Sequence, residues 1–268
     1  MRVVVLTCSR NPGADYVLTH LPKNKDIKIV GIFRRRTLCW DIIRRNLVKM
    51  ILLTGVLVSL RFLALLLIIQ AIAFIKKRIL LNKKVFEANE VARKHKIPYF
   101  EVTNINSKGS LKILKKLKPD LIISNYFDQI MKRKVLDIPI KGTINIHPGL
   151  LPQYRGIFPY FWKLANREKI AGVTIHFVNE AIDKGRILAE KTFKITKADT
   201  AMDLVIRGAQ MGSKILDQTL KNIKYGKPKG VKVEVEGGYY TYPDKEALRR
   251  FYQNGRKWIS FKNFYQYL

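Results

Sequence analysis

The chain has 268 residues, with 51 Lys+Arg against 20 Asp+Glu and a formal net charge of +31. With 47% hydrophobic and 10% aromatic residues it is no disordered basic tail, and its length allows one large core with or without a small appendage. The charge asks for an anionic partner, whether nucleic acid, a membrane surface or a phosphorylated substrate. Two cysteines, Cys8 and Cys39, exclude a disulfide scaffold and point to a reducing, cytoplasmic setting. Neither stands in a C-x-x-C or Cys/His cluster, which excludes a structural zinc site.

The first element is a short apolar run at residues 3–6, read as a buried strand. No signal-peptide h-region stands behind it, so no cleavable leader is expected. A second strand is expected at 27–33. Beyond Pro98 short β-rich runs at 98–102, 120–124 and 143–147 alternate with Lys-rich helical stretches such as 111–117. Two further strands are expected at 173–178 and 187–195, then one helix over 200–226 that stops at a glycine. Alternating strands and helices predict an α/β fold: a Rossmann-like open, mainly parallel sheet with flanking helices. The turn after the first strand, residues 7–13, carries neither G-x-G-x-x-G nor G-x-x-x-x-G-K, which argues against a nucleotide-cofactor oxidoreductase or a P-loop enzyme.

One segment interrupts this alternation. Residues 50–75 are almost wholly apolar, with Arg61 and Gln70 the only strongly polar side chains. The length suits a membrane crossing, which needs about 20 apolar residues. A single crossing would divide the sheet between two compartments, and both flanks are basic, which keeps both on the cytoplasmic side. Residues 38–84 are therefore expected to form a hydrophobic helical insertion, in-plane or re-entrant, facing an anionic membrane surface as a peripheral or monotopic contact. A homodimer interface or an ordinary buried helix is the alternative. The expected division is an α/β domain over 1–226, interrupted by 38–84, followed by a short C-terminal extension over 227–268.

The richest chemistry lies between Asn145 and Gly156, which reads N-I-H-P-G-L-L-P-Q-Y-R-G. Asn145 and His147 are two apart and so share one face of a strand that Pro148-Gly149 ends. Ligands of open α/β sheets bind beyond such carboxyl ends. His147 there can exchange protons near neutral pH, and the Asn145 amide can donate to a developing oxyanion, which suits acyl transfer to an amine. Asp183, in the turn I-D-K-G, is the candidate carboxylate to orient the imidazole. His176, inside the apolar run 173–178, reads as a packed strand residue rather than a ligand. His20 and His95 have no polar company and read as surface positions.

The segment from Asn145 to Gly156 resembles the signature of folate-dependent formyltransferases, among them the glycinamide ribonucleotide, methionyl-tRNA and sugar N-formyltransferases. The likeness continues through G-V-T-I-H-F-V at 172–178 and I-D-K-G-R-I-L at 182–188, and is clearest from about 119 to 212. The resemblance implies one-carbon transfer from 10-formyltetrahydrofolate, as formyl donor co-substrate, to a primary amine, with no metal. Asn145 would stabilise the oxyanion, His147 would position or deprotonate the amine, and Asp183 would orient His147 and share in proton transfer. The implied pterin pocket has Tyr126, Phe127 and Ile130 as an apolar wall and the backbone of Asn179, Glu180, Ala181 and Ile182 along the pterin edge.

Departures bear on the acceptor. Where glycinamide ribonucleotide formyltransferases carry a Gly-Ser-Asn phosphate turn, this chain has C-S-R-N at 8–11. The aromatic stretch 157–162 is closer to the other two groups, and the 42 residues after 226 are too few for the tRNA-binding domain of the methionyl-tRNA enzymes. The expected acceptor is a small-molecule or carrier-linked amine, with tRNA in second place. The competing readings are a folate-dependent deformylating hydrolase, a basic RNA-binding protein on the same fold (aromatic and basic residues interleave over 249–267) and a membrane scaffold.

Overall fold

The computed structural model describes residues 1–8, 11–21, 26–36, 56, 60, 86–226, 228, 230–232 and 236–260. The apolar run at the start forms β1 (Arg2–Cys8), buried along all but its first residue, as expected of a central parallel strand covered on both faces. Helix α1 (Pro12–Thr19) follows. Asn11 caps it by accepting from the Ala14 N–H at 3.1 Å, and Pro12 opens its first turn, where no N–H is needed. Next come β2 (Lys28–Arg35), α2 (Ala88–Lys94), β3 (Tyr99–Val102), α3 (Lys108–Leu117), β4 (Leu121–Asn125), the single turn α4 (Arg133–Leu136) and β5 (Thr143–His147). The second half holds β6 (Tyr154–Gly156), α5 (Pro159–Ala165), β7 (Ile170–Phe177), β8 (Ile187–Lys194), α6 (Ala201–Lys224), β9 (Gly238–Tyr240) and α7 (Lys245–Gln253).

The main sheet has seven strands in the order β3-β2-β1-β4-β5-β7-β8. Pairing is parallel from β3 to β5 and antiparallel from β5 through β7 to β8. The expected mainly parallel sheet with flanking helices is what the chain forms. Helix α6 begins in a capping box, with Thr200 and Asp203 each accepting from the other's backbone N–H. It ends where the sequence signals, the carbonyl of Ile223 accepting from the Gly226 N–H at φ +70°.

Alternate residues of the strands feed two clusters, one per face. Val3, Val5, Ile144, Ile146, Val173 and Ile175 pack with Val17 and Leu18 of α1 and Leu216 and Leu220 of α6. On the other face Val4, Leu6, Phe33 and Ile122 pack with Leu114 of α3 and Val135 of α4. A third cluster joins α5, α6 and α7 through Phe161, Leu204 and Phe251. Full burial of each such phenylalanine contributes roughly 1.5–3 kcal/mol. That cluster and the two-stranded sheet of β6 and β9 tie the C-terminal stretch to the rest.

The expected insertion at 38–84 lies outside the described residues except for Val56 and Leu60, which are helical and exposed. Among the described residues no helix is long and apolar enough to cross a membrane. Residues 261–267 of the aromatic and basic tail also lie outside them.

Candidate active site

Side chains on β5 at 145 and 147 point to the sheet face opposite the Ile144 and Ile146 side chains, which meet the α6 side. The antiparallel register sets Asn145 opposite His176 and His147 opposite Thr174, so four polar side chains share one face. The turn between β7 and β8 then brings Asp183 over them. Asp183 sits at φ +51°, a left-handed conformation rare outside glycine but accessible to aspartate.

The resulting cluster is closely interlocked. Asp183 Oδ2 lies 3.6 Å from His147 Nδ1 and accepts from the Gly156 N–H at 2.8 Å, while Oδ1 lies 3.5 Å from His176 Nε2. The opposite nitrogen of His147, Nε2, is 2.7 Å from the Tyr154 carbonyl. A carbonyl only accepts, so Nε2 carries the proton and Nδ1 presents its lone pair on the Asp183 side. By the same logic His176 donates Nδ1–H to the Phe177 carbonyl at 2.8 Å, and its Nε2 accepts from Asn145 Nδ2 at 3.2 Å. One amide hydrogen of Asn145 is thereby committed, and the other makes no hydrogen bond among the described residues.

Electrostatics follow from burial. His147 is 2% exposed, and that desolvation lowers its pKa despite the opposing pull of Asp183. Burial alone would raise the Asp183 carboxyl, but His147, His176 and the Gly156 N–H outweigh it and hold the pKa at about 2. The arrangement is an ionised carboxylate beside a neutral imidazole that becomes a stabilised cation when Nδ1 takes a proton.

His176 is the packed strand residue that the sequence leads one to expect. At 2% exposure it also joins Asn145 to Asp183, because the pairing partner of a polar β5 position faces the same way. The register of two strands distant in sequence carried that information, and the sequence showed only the apolar run around it. Tyr154 and Gly156 were also missed as contributors, since they act through a carbonyl and an amide. His95 is exposed, as expected; His20 is exposed but stacks on Tyr16, with Nδ1 2.9 Å from that residue's carbonyl.

The candidate pterin residues divide. Tyr126, at φ +53°, packs against the core on the α1 side, within van der Waals reach of Gly13, and its buried hydroxyl has no hydrogen-bond partner among the described residues. Phe127 and Val178 border one apolar cluster, which joins the ends of the two candidate segments. Ile130 is 65% exposed. Asn179, Glu180, Ala181 and Ile182 form an exposed loop directly before Asp183. Ala181 N–H is taken by Asn179 Oδ1, whereas the amides of Glu180 and Ile182 make no hydrogen bond among the described residues. Among those residues no group of three or more His, Cys, Asp or Glu side chains is placed to hold a metal ion.

The family model for formyl transferases matches residues 76–220, just over half of the chain, and includes Asn145, His147, His176 and Asp183. The chain belongs to the formyl transferase family. It is 42% identical over 136 residues to the methionyl-tRNA formyltransferase of Methylacidiphilum infernorum (isolate V4), covering 51% of this chain and 42% of that one. It is 40% identical over 144 residues to the bifunctional polymyxin resistance protein ArnA of Wigglesworthia glossinidia brevipalpis, covering 53% and 22%. The matched stretches thus span less than half the length of these two relatives. Among solved structures, a phosphoribosylglycinamide formyltransferase from Anaplasma phagocytophilum matches at TM-score 0.58 and 20% identity, over 84% of this chain and 87% of that one. A sugar N-formyltransferase from Shewanella sp. FDAARGOS_354 matches at 0.57 and 20%, over 90% and 76%. These two share the fold.

Proposed function

We propose that this protein transfers a formyl group from 10-formyltetrahydrofolate to a primary amine. The observation that carries the reading is the Asp183 carboxylate set beside the free lone pair of His147, with an uncommitted Asn145 amide hydrogen on the same face. The residues suit the donor: the exposed 179–182 loop offers two unspent backbone donors to a flat heteroaromatic edge, and Phe127 and Val178 supply apolar surface nearby.

When bound, the donor supplies an activated formyl carbonyl on nitrogen. Asn145 donates its free N–H to the formyl oxygen as negative charge develops there, an interaction stronger in the transition state than before it. His147 Nδ1 accepts the proton that the attacking amine loses and can return it to the departing nitrogen. Asp183 stabilises the imidazolium for that interval, and its own depressed pKa keeps it ionised.

Named acceptors of relatives and neighbours are methionyl-tRNA, phosphoribosylglycinamide and sugars. A small or carrier-linked amine is the acceptor we favour, because the C-S-R-N turn at 8–11 departs from the phosphate turn of the second class. Peripheral attachment to an anionic membrane through 38–84 belongs to the same reading and rests on composition. The deciding assay follows tetrahydrofolate release with a panel of amines from all three classes. Turnover that needs one amine supports the transferase; release at the same rate without any amine makes the protein a hydrolase.

A further inference from the structure

Both acid–base groups of the site are held by one three-residue strand. In β6 the Tyr154 carbonyl accepts from His147 Nε2 at 2.7 Å, and two residues later the Gly156 N–H donates to Asp183 Oδ2 at 2.8 Å. An isolated strand of three residues has no stability of its own. Its only pairing strand among the described residues is β9, whose residues 238–240 lie beyond the end of the 76–220 family match.

The fastening is extensive. Tyr154, Arg155 and Gly156 pair in parallel register with Gly238, Tyr239 and Tyr240. Arg155 Nη2 donates to the Gly237 carbonyl at 2.7 Å, the Ile157 N–H to the Tyr240 carbonyl at 3.0 Å, and Trp162 Nε1 to the Thr241 carbonyl at 3.0 Å. The Tyr154 ring is clamped on two sides. Tyr240 stacks on it at 5.0 Å between centroids and 9° between planes, and Lys163 Nζ, on a residue 3% exposed, stands 4.0 Å from its centroid. Its hydroxyl donates to Glu168 at 2.7 Å. Approach is close enough that a Cβ on Gly156 would meet the Tyr240 carbonyl and one on Gly237 the Pro152 carbonyl. Downstream, α7 anchors the strap to α5, with Phe251 stacked on Phe161 and Asn254 Nδ2 donating to the Ala165 carbonyl at 2.9 Å.

We infer that the C-terminal strap, with Tyr240 and Lys163 as positioning residues, fixes the His147 tautomer and the place of Asp183 by holding β6. Neither side chain touches the reacting groups. Each acts through Tyr154, and loss of the strap lets the carbonyl that holds His147 Nε2–H move away. This rests on the formyl-transfer reading for its kinetic consequence, though not for its structural one.

The test uses the full chain with imidazole nitrogens labelled with ¹⁵N. Wild-type His147 is expected to show the Nε2-protonated, Nδ1-bare pattern, and Tyr240→Leu a mixture of tautomers, with Tyr240→Phe restoring the single form. In turnover, Tyr240→Leu and Lys163→Met are expected to lower kcat about tenfold or more, with KM for the donor unchanged, as slight misplacement of catalytic groups does. Lys163→Met keeps the strap sequence intact, and it decides the matter should Tyr240→Leu not fold. A folded variant of either kind that retains the wild-type tautomer overturns the inference. If no amine supports turnover, the functional reading fails while the nitrogen spectra still judge the strap.

Discussion

β4 and β5 are parallel neighbours in one sheet, yet their carboxyl ends are finished in opposite ways. At β5 the polar side chains serve one another: Asn145 with His176, both imidazoles with Asp183, and each imidazole with a backbone carbonyl. At the β1 and β4 ends Thr7 Oγ1, Asn125 Oδ1 and the Tyr126 hydroxyl are buried without a hydrogen-bond partner among the described residues. The first end is preorganised by the protein itself, so its groups keep their orientation before any substrate arrives. The second end holds polar atoms that the fold tolerates at a cost. Catalytic dependence is therefore expected at β5, and stability gains are available at β4.

The largest effect tests the β5 end. Asn145→Ala and His147→Ala are each expected to lower turnover about a hundredfold or more, in keeping with the loss of an oxyanion donor or a general base. Steady-state kinetics with a confirmed amine would show this, and a loss of less than threefold in either variant would erase the contrast between the two ends.

Next is the acid dependence of Asp183. Its pKa is depressed in the folded state, so its contribution is complete above the unfolded carboxyl value near 4 and is lost as pH falls toward about 2. The size is about 2 kcal/mol for a side chain 12% exposed whose pKa is held at about 2. Burial also lowers the His147 pKa, which adds loss of the same sign on acidification. Urea unfolding of wild type and Asp183→Asn at pH 6 and pH 2.5 should show the stability gap between them shrink on acidification, and a constant gap would break the argument.

Packing around the site offers a middle-sized effect. A Cβ at Gly208 of α6 would run into the Tyr160 hydroxyl, which donates to the Gly172 carbonyl at 3.1 Å. Gly208→Ala is expected to destabilise by about 2 kcal/mol through overpacking, read as a lower urea midpoint. The smallest effect sharpens the β4 side. Tyr126→Phe removes a buried, unpartnered hydroxyl and should stabilise by about 1 kcal/mol while leaving turnover within twofold. A large rise in the donor's KM would instead place Tyr126 on the donor pocket, as the family resemblance implies.

Legibility in the sequence followed the range of the signal. Strands β1 and β5 and the end of α6 were readable because an apolar run, a Pro-Gly stop and a terminal glycine are local. Asn145, His147 and Asp183 were readable from a dense motif and a resemblance. His176 was not, because its role arises from its register opposite Asn145. β9 was not, because three residues rich in Gly and Tyr form a strand only against Tyr154–Gly156, more than 80 residues earlier. Backbone contributions such as the Tyr154 carbonyl leave no side-chain signature at all.

The central claim is that the β5 cluster moves a formyl group to nitrogen. Incubation with donor labelled in the formyl carbon and the responding amine tests it directly. The account predicts label in an N-formyl product with wild type and almost none with Asn145→Ala or His147→Ala, both remaining folded. Equal label transfer by wild type and both variants would contradict it.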